Sequence, residues 1–221
     1  MHTLPTPTPI TTILDIPAAR IQLIAADRTD TTVQIQPANP AKNRDIKAAQ
    51  HTTVTYDDGI LRIQAPTPKN QVFGPSGSIE ITIQLPTGSH LQTKAASAEL
   101  RGVGRLGNVT VEAAQGPVKL DETTNAHLTL LDGDITIGHL NGPAQISVHK
   151  GDIDITQATH GTVELRTESG DITISAAPGT SAALNAGTPY GRVHNALKND
   201  GATTLDIHAT TSHGDITARS L

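Results

Sequence analysis

The sequence predicts an all-β protein: a parallel β-solenoid, a two-sheet stacked β-repeat of about seven rungs, preceded by a smaller, mainly antiparallel β region. Three observations carry this expectation. Apolar and polar residues alternate with period two along most of the chain, the signal of a strand with one buried face. One short phrase recurs, as "GDITI" at Gly133, "GDIDI" at Gly151, "GDITI" at Gly170 and "GDITA" at Gly214. Aromatic residues make up 1% of the chain (Tyr56, Phe73 and Tyr190), so Ile, Val, Leu and Ala must fill the interior. That suits a thin core in which like aliphatics stack.

Residues 1–88 form the expected antiparallel, capping region. Alternating runs occur at "ITTILDI", "RIQLIAA", "TTVQIQP", "HTTVTYDDGILRIQAP" and "GSIEITIQLP", with irregular spacing. Asp58-Gly59 within "YDDGI" predicts a tight hairpin turn, because both central positions of such a turn need positive φ. "PTPKNQVFGPSG", from Pro66 to Gly77, is expected to be an exposed loop. This region would cover the first rung, whose edge would otherwise invite another chain.

Residues 89–221 form the expected solenoid. The glycines at 116, 133, 151, 170, 191 and 214 are separated by 17, 18, 19, 21 and 23 residues, and "SAELRG" at Ser97 is a weaker copy with Ala98 in the glycine place. Each glycine is preceded and followed by a short alternating segment, and turn residues such as "HLNGPA" and "AAPGTSA" separate the copies. "GVGRLGN" lacks the Lys-Ser/Thr of a phosphate loop and reads as a turn between rungs. One unit cannot bury its own apolar edge. Stacking units about 4.8 Å apart closes a core, with Ile135/Ile137, Ile153/Ile155 and Ile172/Ile174 inward.

Stacking turns sequence positions into columns. After the glycine come Asp134, Asp152, Asp171, Arg192 and Asp215 in chain order. Adjacent carboxylates raise each other's pKa and destabilise the stack unless something relieves them. The expected relief is local: each Asp side chain accepts a backbone N–H two residues on and forms the bend. Arg192 is expected between Asp171 and Asp215, pairing with both. A cation held by Asp134, Asp152 and Asp171 is the weaker reading; no calcium-loop motif or metal-spaced histidine pair is present, so no metal or cofactor is expected. The outward column, which includes Thr136, Asp154, Thr173, His194 and Thr217, is too mixed for a flat ice-binding face.

Charge and composition narrow the function. A net charge of −5, from 16 basic and 21 acidic residues, is a poor footprint for nucleic acid or an anionic membrane. No cysteine is present, so no disulfide or thiolate site is expected. The N-terminus has no secretory pattern, and no apolar run is long enough to span a bilayer, so a cytoplasmic location is expected.

"GTSAALNAGTPYGRVHNAL" (Gly179 to Leu197), "LDIHATTSHGDITARSL" (Leu205 to Leu221) and "SIEITIQLPTGS" (Ser78 to Ser89) resemble segments of the bacterial β-strand-repeat proteins known as the toastrack family, a group of candidate adhesins of unknown function. The resemblance covers about residues 10–221. It implies a stacked β-repeat fold and no catalytic residues, and it opens a surface location beside the cytoplasmic one. Together these readings favour a non-enzymatic interaction scaffold that binds a protein partner. Two alternatives are self-assembly through the solenoid ends, with "GDITARSL" as the last rung, and a polysaccharide-active enzyme using Asp152, Asp154 and Asp171.

Overall fold

The computed structural model describes residues 2–65 and 77–221. The chain is nearly all-β, with one helix among the described residues. It divides into two compact units, Met1–Gly116 and Pro117–Leu221.

The first unit contains β1 (His2–Pro5), β2 (Thr11–Ala26), β3 (Asp30–Pro37), α1 (Asn43–His51), β4 (Thr53–Asp57), β5 (Ile60–Gln64), β6 (Ile79–Pro86) and β7 (His90–Gln115). Antiparallel pairs join β1 to β3, β3 to β6 and β4 to β5. The β4–β5 turn has Asp58 at φ 46° and Gly59 at φ 75°, the two positive values expected of that dipeptide. The runs "ITTILDI" and "RIQLIAA" join into the single strand β2, which pairs in parallel with β5 and β6 on one side and β7 on the other. The unit is therefore mixed rather than mainly antiparallel. "GVGRLGN" lies within β7, where Gly104 at φ 79° brings its Cα close to the Ala25 carbonyl.

Two features of this unit have no counterpart in the alternating pattern. Helix α1 buries Asp45, whose Oδ1 accepts the Ser78 N–H at 3.0 Å. On the outer face Arg20 lies between Glu80 and Glu99, with N···O distances of 2.6 and 3.0 Å. These two ion pairs raise the Arg20 pKa further, chiefly through Glu99. The expected loop from Pro66 to Gly77 lies outside the described residues except for Gly77.

The second unit contains β8 (Val118–Asp132), β9 (Ile135–Leu140), β10 (Ala144–Lys150), β11 (Ile153–Ala158), β12 (Gly161–Ser169), β13 (Ile172–Ala176), β14 (Ala182–Gly187), β15 (Val193–Ala196), β16 (Leu205–His213) and β17 (Ile216–Ser220). Two parallel rows run side by side. One row is the second half of β8, then β10, β12, β16 and β14. The other is the first half of β8, then β9, β11, β13, β17 and β15. Ile153 is registered with Ile135 on one side and Ile172 on the other, and Ile155 with Ile137 and Ile174. All six are at most 1% exposed, so the alternating pattern sets the register as expected.

Chain order and stacking order part company at the end. The rung β16–β17 sits directly on β12–β13, and β14–β15 lies outside it. "GDITARSL" is thus an inner rung rather than the last one. Packing explains the inversion. The inward residues of β16–β17 are Leu205, Ile207, Ala209, Ile216 and Ala218, all fully buried. Their partners on β14–β15 are Ala182, Leu184, Ala186, Val193 and Asn195. The rung with the larger apolar side chains takes the two-sided seat, where each buried isoleucine or leucine contributes about 1.5–3 kcal/mol. Val193 is left 46% exposed at the position that Ile216 fills completely.

Candidate functional site

The five predicted column residues come together at the corner between the two rows. Gly133, Gly151, Gly170 and Gly214 have φ from 143° to 153°. Gly151, Gly170 and Gly214 each stack directly on the carbonyl of the corner glycine of the neighbouring rung; a Cβ on Gly151 would lie 2.3 Å from the Gly133 oxygen. This close approach puts the next residue's side chain level with the neighbouring rung. Asp134 Oδ1 accepts the Asp152 N–H at 3.0 Å, Asp152 Oδ1 the Asp171 N–H at 2.7 Å, and Asp171 Oδ1 the Asp215 N–H at 2.7 Å. Asp215 Oδ1 then accepts the Arg192 N–H at 2.8 Å.

Two expectations are corrected by this ladder. The aspartates do not bond their own backbone two residues on; the rung repeat of about 4.8 Å brings the next rung's N–H within reach instead. Arg192 does not lie between Asp171 and Asp215. It stands at the outer end of the column, and its backbone N–H rather than its guanidinium joins the ladder. Asp171→Ala should therefore lower stability by about 1 kcal/mol, a drop of a few degrees in melting temperature, while Asp171→Asn, which keeps an acceptor oxygen, should lose less than half as much. Equal losses would rule out the acceptor role.

Three threonines that period-two alternation does not single out complete this corner. Thr167 Oγ1 donates to the Gly151 carbonyl, Thr211 Oγ1 to Gly170 and Thr188 Oγ1 to Gly214, each at 3.0 Å. The signal was a threonine three residues before the glycine, in "TESG", "TSHG" and "TPYG".

Among the residues weighed for carbohydrate chemistry, Asp152 and Asp171 meet only through the ladder. Asp154 sits on the outer face between Thr136 and Thr173. Among the described residues no three His, Asp or Glu side chains are grouped as a metal site would require. Nor is any helix of the described residues long and apolar enough to cross a membrane.

The outer face of the first row offers a more open arrangement. His127, Gln145, Glu164, His208 and Asn185 lie in register on successive strands. Beside them runs a shallow trough of about 400 Å³ lined by Ala126, Pro143, Ala144, Gln145, Thr162 and Glu164. At the uncovered rung Tyr190 is 71% exposed and stacks on His213, with ring centroids 5.0 Å apart and planes 7° from parallel. In a chain with so few aromatics, an exposed stacked tyrosine marks this corner as different from the rest.

Comparison with known proteins agrees with the geometry. The model of the family described as Toastrack DUF4097 matches residues 71–219. No curated protein matches the chain. A candidate adhesin from Bacteroides fragilis has a similar solved structure, at 18% identity and a TM-score of 0.58, with 98% of this chain and 95% of that one covered. A candidate adhesin from Parabacteroides distasonis aligns over 98% of this chain and 95% of its own, at 14% identity and a TM-score of 0.46. The stacked corner glycines, the two parallel rows and the extent of the family match lead to one conclusion: the chain belongs to the toastrack family.

Proposed function

We propose that the protein is a non-catalytic interaction scaffold that presents the outer face of its second unit to a protein partner. The observation that carries this reading is the registered polar row from His127 to Asn185 beside the open trough. Side chains held on a stacked sheet lose little freedom when a partner binds, so modest contacts suffice. The likeness to candidate adhesins supports a partner at the cell surface. The test is capture from both the envelope and the internal fraction of the native cell. A partner retained by the parent chain and by Thr173→Arg, on the opposite row, but lost with Glu164→Arg is the expected result. Failure to retain any protein, or equal retention by both variants, overturns the reading.

End-to-end self-assembly has an observation of its own. The strands β14 and β15 carry no Asp, Glu, Lys or Arg; Val193 of β15 is exposed, as is Tyr190 between the two strands. A molecular mass by light scattering that rises with concentration would favour it, and a constant monomer mass would remove it.

A further inference from the structure

We infer that the rung β14–β15 has two seats, its observed place outside β16–β17 and the place on β12–β13 that β16–β17 now holds, and that Asp215 and Arg192 add to the packing preference in setting which rung ends outermost. The chemistry at the corner makes the two rungs interchangeable toward β12–β13. Both carry a threonine three residues before the corner glycine, Thr211 before Gly214 and Thr188 before Gly191. Thr211 now donates to Gly170, and Thr188 donates one rung further out. Both present a backbone N–H after the glycine, Asp215 to the Asp171 carboxylate and Arg192 to the Asp215 carboxylate. The Arg192 N–H would meet Asp171 equally well. Leu205 is registered with both Gly161 and Ala182, so β14 on β12 needs no change of register.

What differs is the ability to be stacked upon. Asp215 offers a carboxylate oxygen to the next rung's N–H, and Arg192, all donor, offers none. With β14–β15 in the inner seat, the Asp215 N–H would lose its side-chain acceptor, and Leu205, Ile207 and Ile216 would face the open end. Both effects favour the observed order. The connections permit either order. Consecutive rungs are joined elsewhere by as little as Thr159 and His160, whereas Ala177 to Ser181 leads into β14 and Leu197 to Thr204 leads back. Because β14–β15 precedes β16–β17 in the chain, it can close the stack first and then yield its seat.

Cysteine pairs read the order directly, since the chain has no native cysteine. Thr173 is registered with Thr217, and Thr217 with His194. Thr173 and His194 are therefore two strands apart, about 10 Å, beyond disulfide reach. In the alternative order they are adjacent. In the full chain, Thr173→Cys/Thr217→Cys should cross-link in the folded protein, and Thr173→Cys/His194→Cys should not. The second pair should cross-link when the oxidant is present from the start of refolding. Adding Ile216→Asp, which unfits β17 for the inner seat, should raise its cross-linked fraction at equilibrium by at least about tenfold. If the second pair fails to cross-link both during refolding and with Ile216→Asp, the two-seat inference is overturned; if it cross-links in the otherwise unperturbed folded chain, the role given to Asp215 and Arg192 is overturned.

Discussion

Gly170→Ala is expected to destabilise the second unit by about 3 kcal/mol or more, lowering its melting temperature by about 12 °C or more. The added Cβ would lie 2.0 Å from the Gly151 carbonyl oxygen and 2.9 Å from Asp152 Oδ1, at φ 153°. Neither neighbour can easily give way. The Gly151 carbonyl is held by Thr167 Oγ1 at 3.0 Å, and Asp152 Oδ1 is held by the N–H of Asp171 at 2.7 Å. Relief would require the rungs to part, which breaks the ladder on both sides. Gly179→Ala is the matched comparison: φ is 78°, but nothing lies within 4 Å of the new Cβ. It should cost only the backbone strain, about 1 kcal/mol. Thermal or denaturant unfolding of the two variants separates the contributions, and similar losses would show that the corner is looser than its distances state.

The second large effect belongs to the core. Ile155→Ala should cost about 2–5 kcal/mol, because Ile155 is fully buried between Ile137 and Ile174 and a rigid stack closes poorly around a void. Val193 belongs to the same row of strands but is 46% exposed, so Val193→Ala should cost less than about 1 kcal/mol. The contrast tests whether the stack truly ends at β15. A loss at Val193 approaching that at Ile155 would mean that something covers this rung in solution.

The repeat was legible because its two signals are local. Alternation assigns each isoleucine to a face, and the glycine marks where one row turns into the other. The spacing of the glycines alone was enough to place Ile135, Ile153 and Ile172 side by side. The stacking order was not legible for the same reason: a rung that fits anywhere carries little information about where it sits. Arg192 reads as an interruption in the aspartate column when it stands at the column's outer end. In the first unit, the parallel pairing of β2 with β7 joins residues far apart in sequence, and no local signal announces it. Helix α1 is short and polar, and its one buried residue, Asp45, serves the Ser78 N–H rather than an apolar face. Alternation does not single out the threonines under the corner glycines, because alone it reads Thr167 and Thr211 as ordinary strand residues.

The inner position of β17 has a mechanical consequence. A pull delivered along this strand is resisted by ladders on both flanks, to β13 and to β15. The bonds in each ladder then share the load as shear instead of opening one after another like a zip. A tension-bearing attachment made through Ser220 would accordingly grip more firmly than one made through Ala196, whose strand has a single neighbour among the described residues.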